Sequence, residues 1–98
     1  MKYEIAPKET EIEANWYEAK MYCFSLNIDG KIGWRLPTND ELNEIFQSAN
    51  DFRGFWYWSS TEGNGGNAWG QGLSGGCQGY SGKSSGGYVR AIRELKDN

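Results

Sequence analysis

The side chains that carry most enzyme chemistry are sparse in this chain. It has no histidine, which removes the commonest general base and the usual Ser-His and Cys-His nucleophile pairs. Glu41 and Glu44 stand near the start of an expected helix, where acids in the first turn are most simply solvated and favoured by the helix dipole. Cys23 and Cys77, with no histidine beside them, do not make up the usual four-ligand structural zinc site. Gly70-Gln71-Gly72-Leu73-Ser74-Gly75 has the form of a dinucleotide fingerprint, but Gly76-Cys77-Gln78-Gly79 offers no helix to receive a pyrophosphate. The expectation is therefore of no catalytic set, no metal and no cofactor, and of residues suited to binding. Trp69, Tyr80 and Tyr88 offer flat apolar faces, while Asn64, Asn67, Gln71, Gln78 and Lys83 lie near them in sequence with hydrogen-bonding groups and a single cation. Such a mixture suits a sugar, a peptide or a protein surface. Trp69, given its strand face, reads more readily as a core residue, and Tyr80, whose neighbours are all small, is the better contact.

Composition narrows the partners. The chain has 98 residues and a formal net charge of −3, and is expected to form one small domain over 1–98. Acidic residues gather in the first half, at Glu9, Glu11, Glu13, Glu18, Asp40, Glu41 and Glu44, whereas residues 63–89 hold one charge, Lys83. No basic stripe exists to neutralise phosphates, so a nucleic-acid partner is not expected. No apolar run is long enough to span a bilayer, so no membrane partner is expected either. Met1-Lys2-Tyr3-Glu4 lacks the apolar core of a signal peptide. A cytoplasmic setting follows as an expectation, and with it two free thiols.

The elements that must position these residues are organised around 33–42. Trp34 and Leu36 flank Arg35 as a short extended segment, and Pro37 keeps Leu36 out of the helical region. Thr38 then caps a helix, with Glu41 at the capping-box spacing. Leu42, Ile45, Phe46 and Ala49 give that helix one apolar face, ending near Asn50. Upstream, 2–6 alternates as a strand ending at Pro7. Thr10 and Glu13 repeat the capping pattern, and Ile12, Trp16, Ala19, Cys23 and Leu26 predict a helix over 11–26, closed by Asn27, Asp29 and Gly30. Tyr17, Met21, Tyr22 and Phe24 widen its apolar surface beyond one stripe.

Downstream, 55–59 is dense in aromatics and reads as a central strand, with Trp56 and Trp58 on one face and Phe55 and Tyr57 on the other. Residues 63–87 are rich in Gly, Ser, Asn and Gln and read as an ordered irregular loop. Within it, 67–73 is a candidate strand left bare on one side at Gly70 and Gly72, where another backbone or a ligand could come close. A last strand is expected over 88–95 and a frayed tail over 96–98.

These residues together carry a resemblance. Trp16-Tyr17-Glu18-Ala19 with Cys23, the run 33–38 followed by Asp40-Glu41-Leu42, Tyr57-Trp58-Ser59-Ser60-Thr61, Ala68-Trp69 and Tyr88-Val89-Arg90-Ala91-Ile92-Arg93 resemble the bacterial Lcl C-terminal-type domain of the C-type-lectin-like superfamily. The resemblance implies an α+β fold: two helices on a twisted antiparallel sheet, adjacent N- and C-terminal strands, and long Gly-rich loops at one end, where relatives bind ligands. Ala91 stands where the family often has a cysteine, so the bridge from the first helix that such relatives make is not implied, and an intracellular or phage-type setting fits better than a secreted one. The calcium-binding strings of sugar-binding C-type lectins are absent, so calcium-dependent sugar binding is not implied. The related fold of the formylglycine-generating enzymes oxidises through a cysteine pair, but Cys23 is expected on a core-facing helix stripe and Cys77 in a loop.

The expected function is a non-catalytic binding module that recognises a protein or glycan through 63–87. The alternatives are a structural or assembly part, such as a virion-associated protein that forms homo-oligomers through its aromatic surface, and an intracellular inhibitor of a host protein.

Overall fold

A computed structural model describes residues 3–48 and 52–95. In chain order these form β1 (Tyr3–Ile5), a 3₁₀ turn (Lys8–Thr10), β2 (Ile12–Ala14), α1 (Trp16–Ser25), α2 (Asn39–Ser48), β3 (Trp56–Glu62), β4 (Asn67–Gly72), β5 (Gln78–Gly82), β6 (Gly87–Val89) and β7 (Ile92–Glu94). The fold is α+β, with a five-stranded sheet in the order β2-β6-β3-β4-β5 and a separate antiparallel pair, β1-β7. The terminal strands therefore do lie side by side, with Ile5 opposite Ile92. The sheet is mixed where an antiparallel one was expected: β6 runs parallel to β3, meeting it at Tyr57 and Tyr88. The reason is the return path. Residues 83–86 carry the chain from β5 to β2, where Gly87 pairs with Ala14, so β6 enters between β2 and β3 in the direction of β3. No helix among the described residues is long and apolar enough to cross a membrane.

The joint at 33–42 forms as its residues require. Trp34 and Leu36 are buried, and Arg35 between them exchanges backbone hydrogen bonds with Ile92 at 2.7 and 2.8 Å. Thr38 N donates to Glu41 Oε1 at 2.8 Å and Glu41 N to Thr38 Oγ1 at 3.2 Å, which satisfies two donors at the start of α2. The Arg35 guanidinium grips both oxygens of the same carboxylate at 2.8 and 2.9 Å. Glu41 thus caps the helix and ties it to the strand-like segment before it.

The first helix is shorter than its periodicity predicts. Residues 12–14 are β2, paired with β6, and α1 starts at Trp16 with Asn15 as its cap: Asn15 Oδ1 accepts from Glu18 N at 2.9 Å and Asn15 N donates to Glu18 Oε1 at 3.2 Å. Thr10 instead donates to the Pro7 carbonyl at 2.6 Å and caps no α-helix. Both Thr10-x-x-Glu13 and Asn15-x-x-Glu18 carry the capping spacing, and pairing of Ile12 with Val89 decides between them. Helix α1 ends at Ser25; Asp29 and Gly30, at φ 53° and 84°, instead make the tight turn that brings Ile28 to Lys31.

Strand β3 is central, as expected, but extends to Glu62 and leaves Phe55 outside it. Residues 63–87 are not one loop: they hold β4, near its expected span, and β5, which composition concealed. Gly70 is bare because an indole lies on it. A Cβ there would stand 2.6 Å from the Trp56 ring and 2.4 Å from the Tyr57 carbonyl, and at Gly87 it would stand 2.7 Å from Trp58 Nε1. The expected last strand is two, β6 and β7 in different sheets, with Arg90 and Ala91 between them. Lys2, Ala49, Asn50 and the tail at 96–98 lie outside the described residues.

One core cluster joins Trp16, Ala19 and Cys23 of α1 to Trp34, Leu36, Trp58 and Val89; a smaller one joins Tyr3 and Ile92 of the paired terminal strands to Ile45 of α2. Whereas the buried Nε1 of Trp56 has no hydrogen-bond partner among the described residues, the three core tryptophans have satisfied N–H groups: Trp16 donates to the Ser59 carbonyl at 2.9 Å, Trp34 to the Lys31 carbonyl at 3.0 Å and Trp58 to the Ala14 carbonyl at 3.0 Å. Beside them, Glu11 accepts from Tyr57 Oη at 2.7 Å, Arg90 at 2.8 Å and Arg53 at 3.0 Å, and burial together with that carboxylate pushes the Tyr57 phenol well up.

Two predictions follow from this packing. The Glu11 side chain is 2% exposed and accepts from Tyr57, Arg53 and Arg90 together, so Glu11→Ala removes the shared buried acceptor of all three and is expected to lower unfolding stability by about 3–5 kcal/mol in a denaturant titration. The hydrogen bonds from Arg35 hold the Glu41 carboxyl down at about 2 against its ordinary value. A depressed carboxyl stabilises the fold fully above its unfolded pKa, and that contribution drains away as pH falls toward the folded value. Wild-type stability is expected to decline between about pH 5 and pH 2, and Glu41→Gln to show a shallower decline across that window when thermal unfolding is followed against pH.

Candidate functional site

The β3–β4 turn and the open ends of β4 and β5 enclose a hollow of about 410 Å³ lined by Glu62, Gly63, Asn64, Asn67, Trp69 and Tyr80. Its geometry follows from strand alternation. Asn67 and Trp69 are two apart on β4 and share a face, and Tyr80 lies directly opposite Trp69 on β5. The two rings meet edge to face, 5.4 Å between centroids at 65°. Tyr80 remains 63% exposed, a large ring held out from the sheet by a neighbour rather than by the core. The turn is drawn tight by Gly63 N donating to the Asn67 carbonyl at 2.9 Å and by Gly65 at φ 61°.

Sheet position separates this hollow from the residues beside it. Gln71 shares the face of Trp69 by alternation, but α2 covers that part of the sheet: Gln71 Nε2 donates to Asn43 Oδ1 and to the Gly76 carbonyl, both at 3.0 Å. Gln78, opposite Gln71, donates to the Asn39 carbonyl at 2.8 Å and to Gln71 Oε1 at 3.2 Å. The helix stops short of Trp69 and Tyr80, and the hollow is the uncovered remainder.

Of the residues expected to make contacts, Asn64, Asn67, Trp69 and Tyr80 are thus brought together. The others are not. Gln71 is fully buried, which takes it off the surface, and the Gln78 carboxamide is committed to the joint between sheet and helix. Lys83 packs its ammonium 4.5 Å from the Trp16 ring centroid and pairs with Glu62 at 2.7 Å, so it braces the hollow from behind. Tyr88 lies on β6, across β3 from β4, where it stacks on Phe55 at 5.1 Å. Sequence reasoning missed Glu62, which lines the hollow one position before the glycine-rich segment begins. An acid closing an aromatic strand and followed by Gly63-Asn64 was the available signal.

Chemically, the lining offers an aromatic wall, two carboxamides that donate and accept, and one carboxylate. Lys83 holds the Glu62 carboxyl below its ordinary range, chiefly by its hydrogen bond, so Glu62 serves as an ionised acceptor.

The cysteines lie apart from this hollow and are not bonded to each other. Both are free thiols: Cys23 is buried in α1, where burial pushes it up to about 12, and Cys77 is exposed in the turn between β4 and β5. The lining of the hollow contains neither.

The family model described as the Lcl C-terminal domain matches residues 3–93, a span that includes β1, β7 up to Arg93 and every residue lining the hollow. A search of curated protein sequences finds no match.

Thiol accessibility checks this placement. Under native conditions a disulfide-exchange reagent is expected to titrate one thiol, Cys77, promptly, and Cys23 only on unfolding; two prompt equivalents would contradict the packing of α1.

Proposed function

The chain belongs to the Lcl C-terminal domain family, and we propose that it is a non-catalytic binding module that recognises a protein or glycan at the hollow beside Trp69 and Tyr80. The observation that carries this reading is the edge-to-face pair itself, with Tyr80 exposed and Asn64, Asn67 and Glu62 around it. A glycan fits this chemistry better than a charged ligand does. The flat C–H face of a sugar ring lies well against an aromatic face, and its hydroxyls both donate and accept, as two carboxamides and a carboxylate require. Glu62 is neutralised by Lys83, so the lining presents little net charge to discriminate among charged ligands.

We also read the fold as C-type-lectin-like. What supports this is the pairing of β1 with β7, the two helices, and the placement of the hollow at the end of the sheet where β3 turns into β4. In the glycine-rich part of the chain, short turns on strands take the place of the long loops that the resemblance implies.

Screening the full chain against an array of neutral and acidic glycans tests the reading. Binding to a set of neutral glycans is expected, with Tyr80→Ala weakening it about 10-fold or more, equivalent to about 1.4 kcal/mol, while the thermal midpoint stays near that of the wild type. Absence of any glycan signal, or an unchanged signal in Tyr80→Ala, overturns the glycan assignment.

A further inference from the structure

Helix α1 is apolar on two sides. Trp16, Ala19 and Cys23 turn into the core, while Tyr17, Met21 and Phe24, at i, i+4 and i+7, stand 54%, 73% and 85% exposed. Neither core cluster includes these three side chains. Alongside them runs a groove of about 360 Å³ between α1 and the 34–36 segment, with Met21 and Phe24 on one bank and the edges of Trp34 and Leu36 on the other. A continuous apolar surface of this kind marks a protein contact.

The charges around the groove identify what covers it. Two charged side chains line it, Lys20 and Arg35, and both are cations. Arg35 is already gripped by both oxygens of Glu41. Lys20 rests 4.5 Å from the Trp16 ring centroid, and among the described residues no carboxylate lies within ion-pair distance of it. Glu62, the carboxylate on which the charge of Lys20 acts, is held by Lys83. The groove therefore pairs an apolar floor with an ammonium that has no carboxylate partner among the described residues, on a chain whose net charge is −3. A second copy of the chain is a poor complement: a two-fold contact through the stripe would bring Lys20 toward its own counterpart, and like charges brought together oppose association.

We propose that this face of α1 docks an acidic amphipathic segment of another protein, which inserts a large apolar side chain between Phe24 and Trp34 and places a carboxylate on Lys20. This is a surface distinct from the hollow at Tyr80, and it uses the anchor-in-groove mode of peptide recognition.

The test is selection of a displayed random-peptide library on the immobilised full chain, with Phe24→Ser, Lys20→Glu and Tyr80→Ala as comparison targets. Phe24 and Lys20 are both exposed, and circular dichroism verifies that the variants keep the fold. Selected peptides are expected to carry an aromatic residue or leucine close to aspartate or glutamate. Synthetic versions should bind Phe24→Ser and Lys20→Glu at least about 10-fold more weakly and Tyr80→Ala unchanged. Repeating the selection on Lys20→Glu should enrich basic peptides instead. The proposal is overturned by a failure to enrich, by enriched peptides without acidic residues, or by affinity unchanged in Lys20→Glu. It is equally overturned if the chain alone dimerises in sedimentation and Phe24→Ser abolishes that dimer, since the occupant is then a second copy.

Discussion

A carboxylate and a guanidinium, each almost wholly enclosed, hold the two sheets of this molecule together. Arg90 sits where the chain leaves β6 for β7, donating to the Ala6 carbonyl at 2.6 Å and to Glu11 at 2.8 Å. Glu11 in turn lies between the 3₁₀ turn and β2 and accepts from Tyr57 on the central strand. Three stretches far apart in sequence thus meet at one buried charge pair. A pair of this sort adds little net stability compared with apolar groups of the same volume. Its value lies in position: Glu11 also accepts from Tyr57 and Arg53, so moving it breaks contacts to several stretches at once, and the step from one sheet to the other has a defined place.

Around that pair, size complementarity between tryptophan and glycine sets how the sheet is covered. Trp56 lies across Gly70, and Trp58 presses against Gly87 closer than a Cβ would allow, with Trp56 tight beside it. The glycines that make residues 63–87 look featureless are thus, at these positions, the counterparts of rings upstream. The same economy explains the hollow. On the other face of β4, α2 reaches Gln71 and Gln78 through carboxamide hydrogen bonds and extends no further, leaving Trp69 and Tyr80 to support each other.

Two surfaces result, of different chemistry. The hollow at the β3–β4 turn is aromatic and carboxamide-lined, with its carboxylate neutralised from behind. The outer face of α1 is apolar with a cation at its edge. They meet at Lys83 and Glu62, since Lys83 lies against the Trp16 ring, as Lys20 does, and also holds the carboxylate of the hollow. The base of α1 is therefore a shared support for both.

Local chemistry was enough to read the joint at 33–42, because its determinants are neighbours: a proline that keeps Leu36 extended, a threonine cap and an acid at the spacing that closes the box. The central place of β3, the core-facing stripe of α1 and the exposed ring of Tyr80 were legible for the same reason, as each depends on side-chain type at a short, regular interval. Long-range pairing decided the rest. Ile12 fits a helical stripe and a strand equally well, and only Val89 settles which; Gln71 and Gln78 are indistinguishable from surface carboxamides until α2 arrives over them. Glycine's lack of a side chain conveys nothing about what will lie above it, so β5 and the seat of Trp56 emerge only when a ring from another strand occupies the space that glycine leaves open.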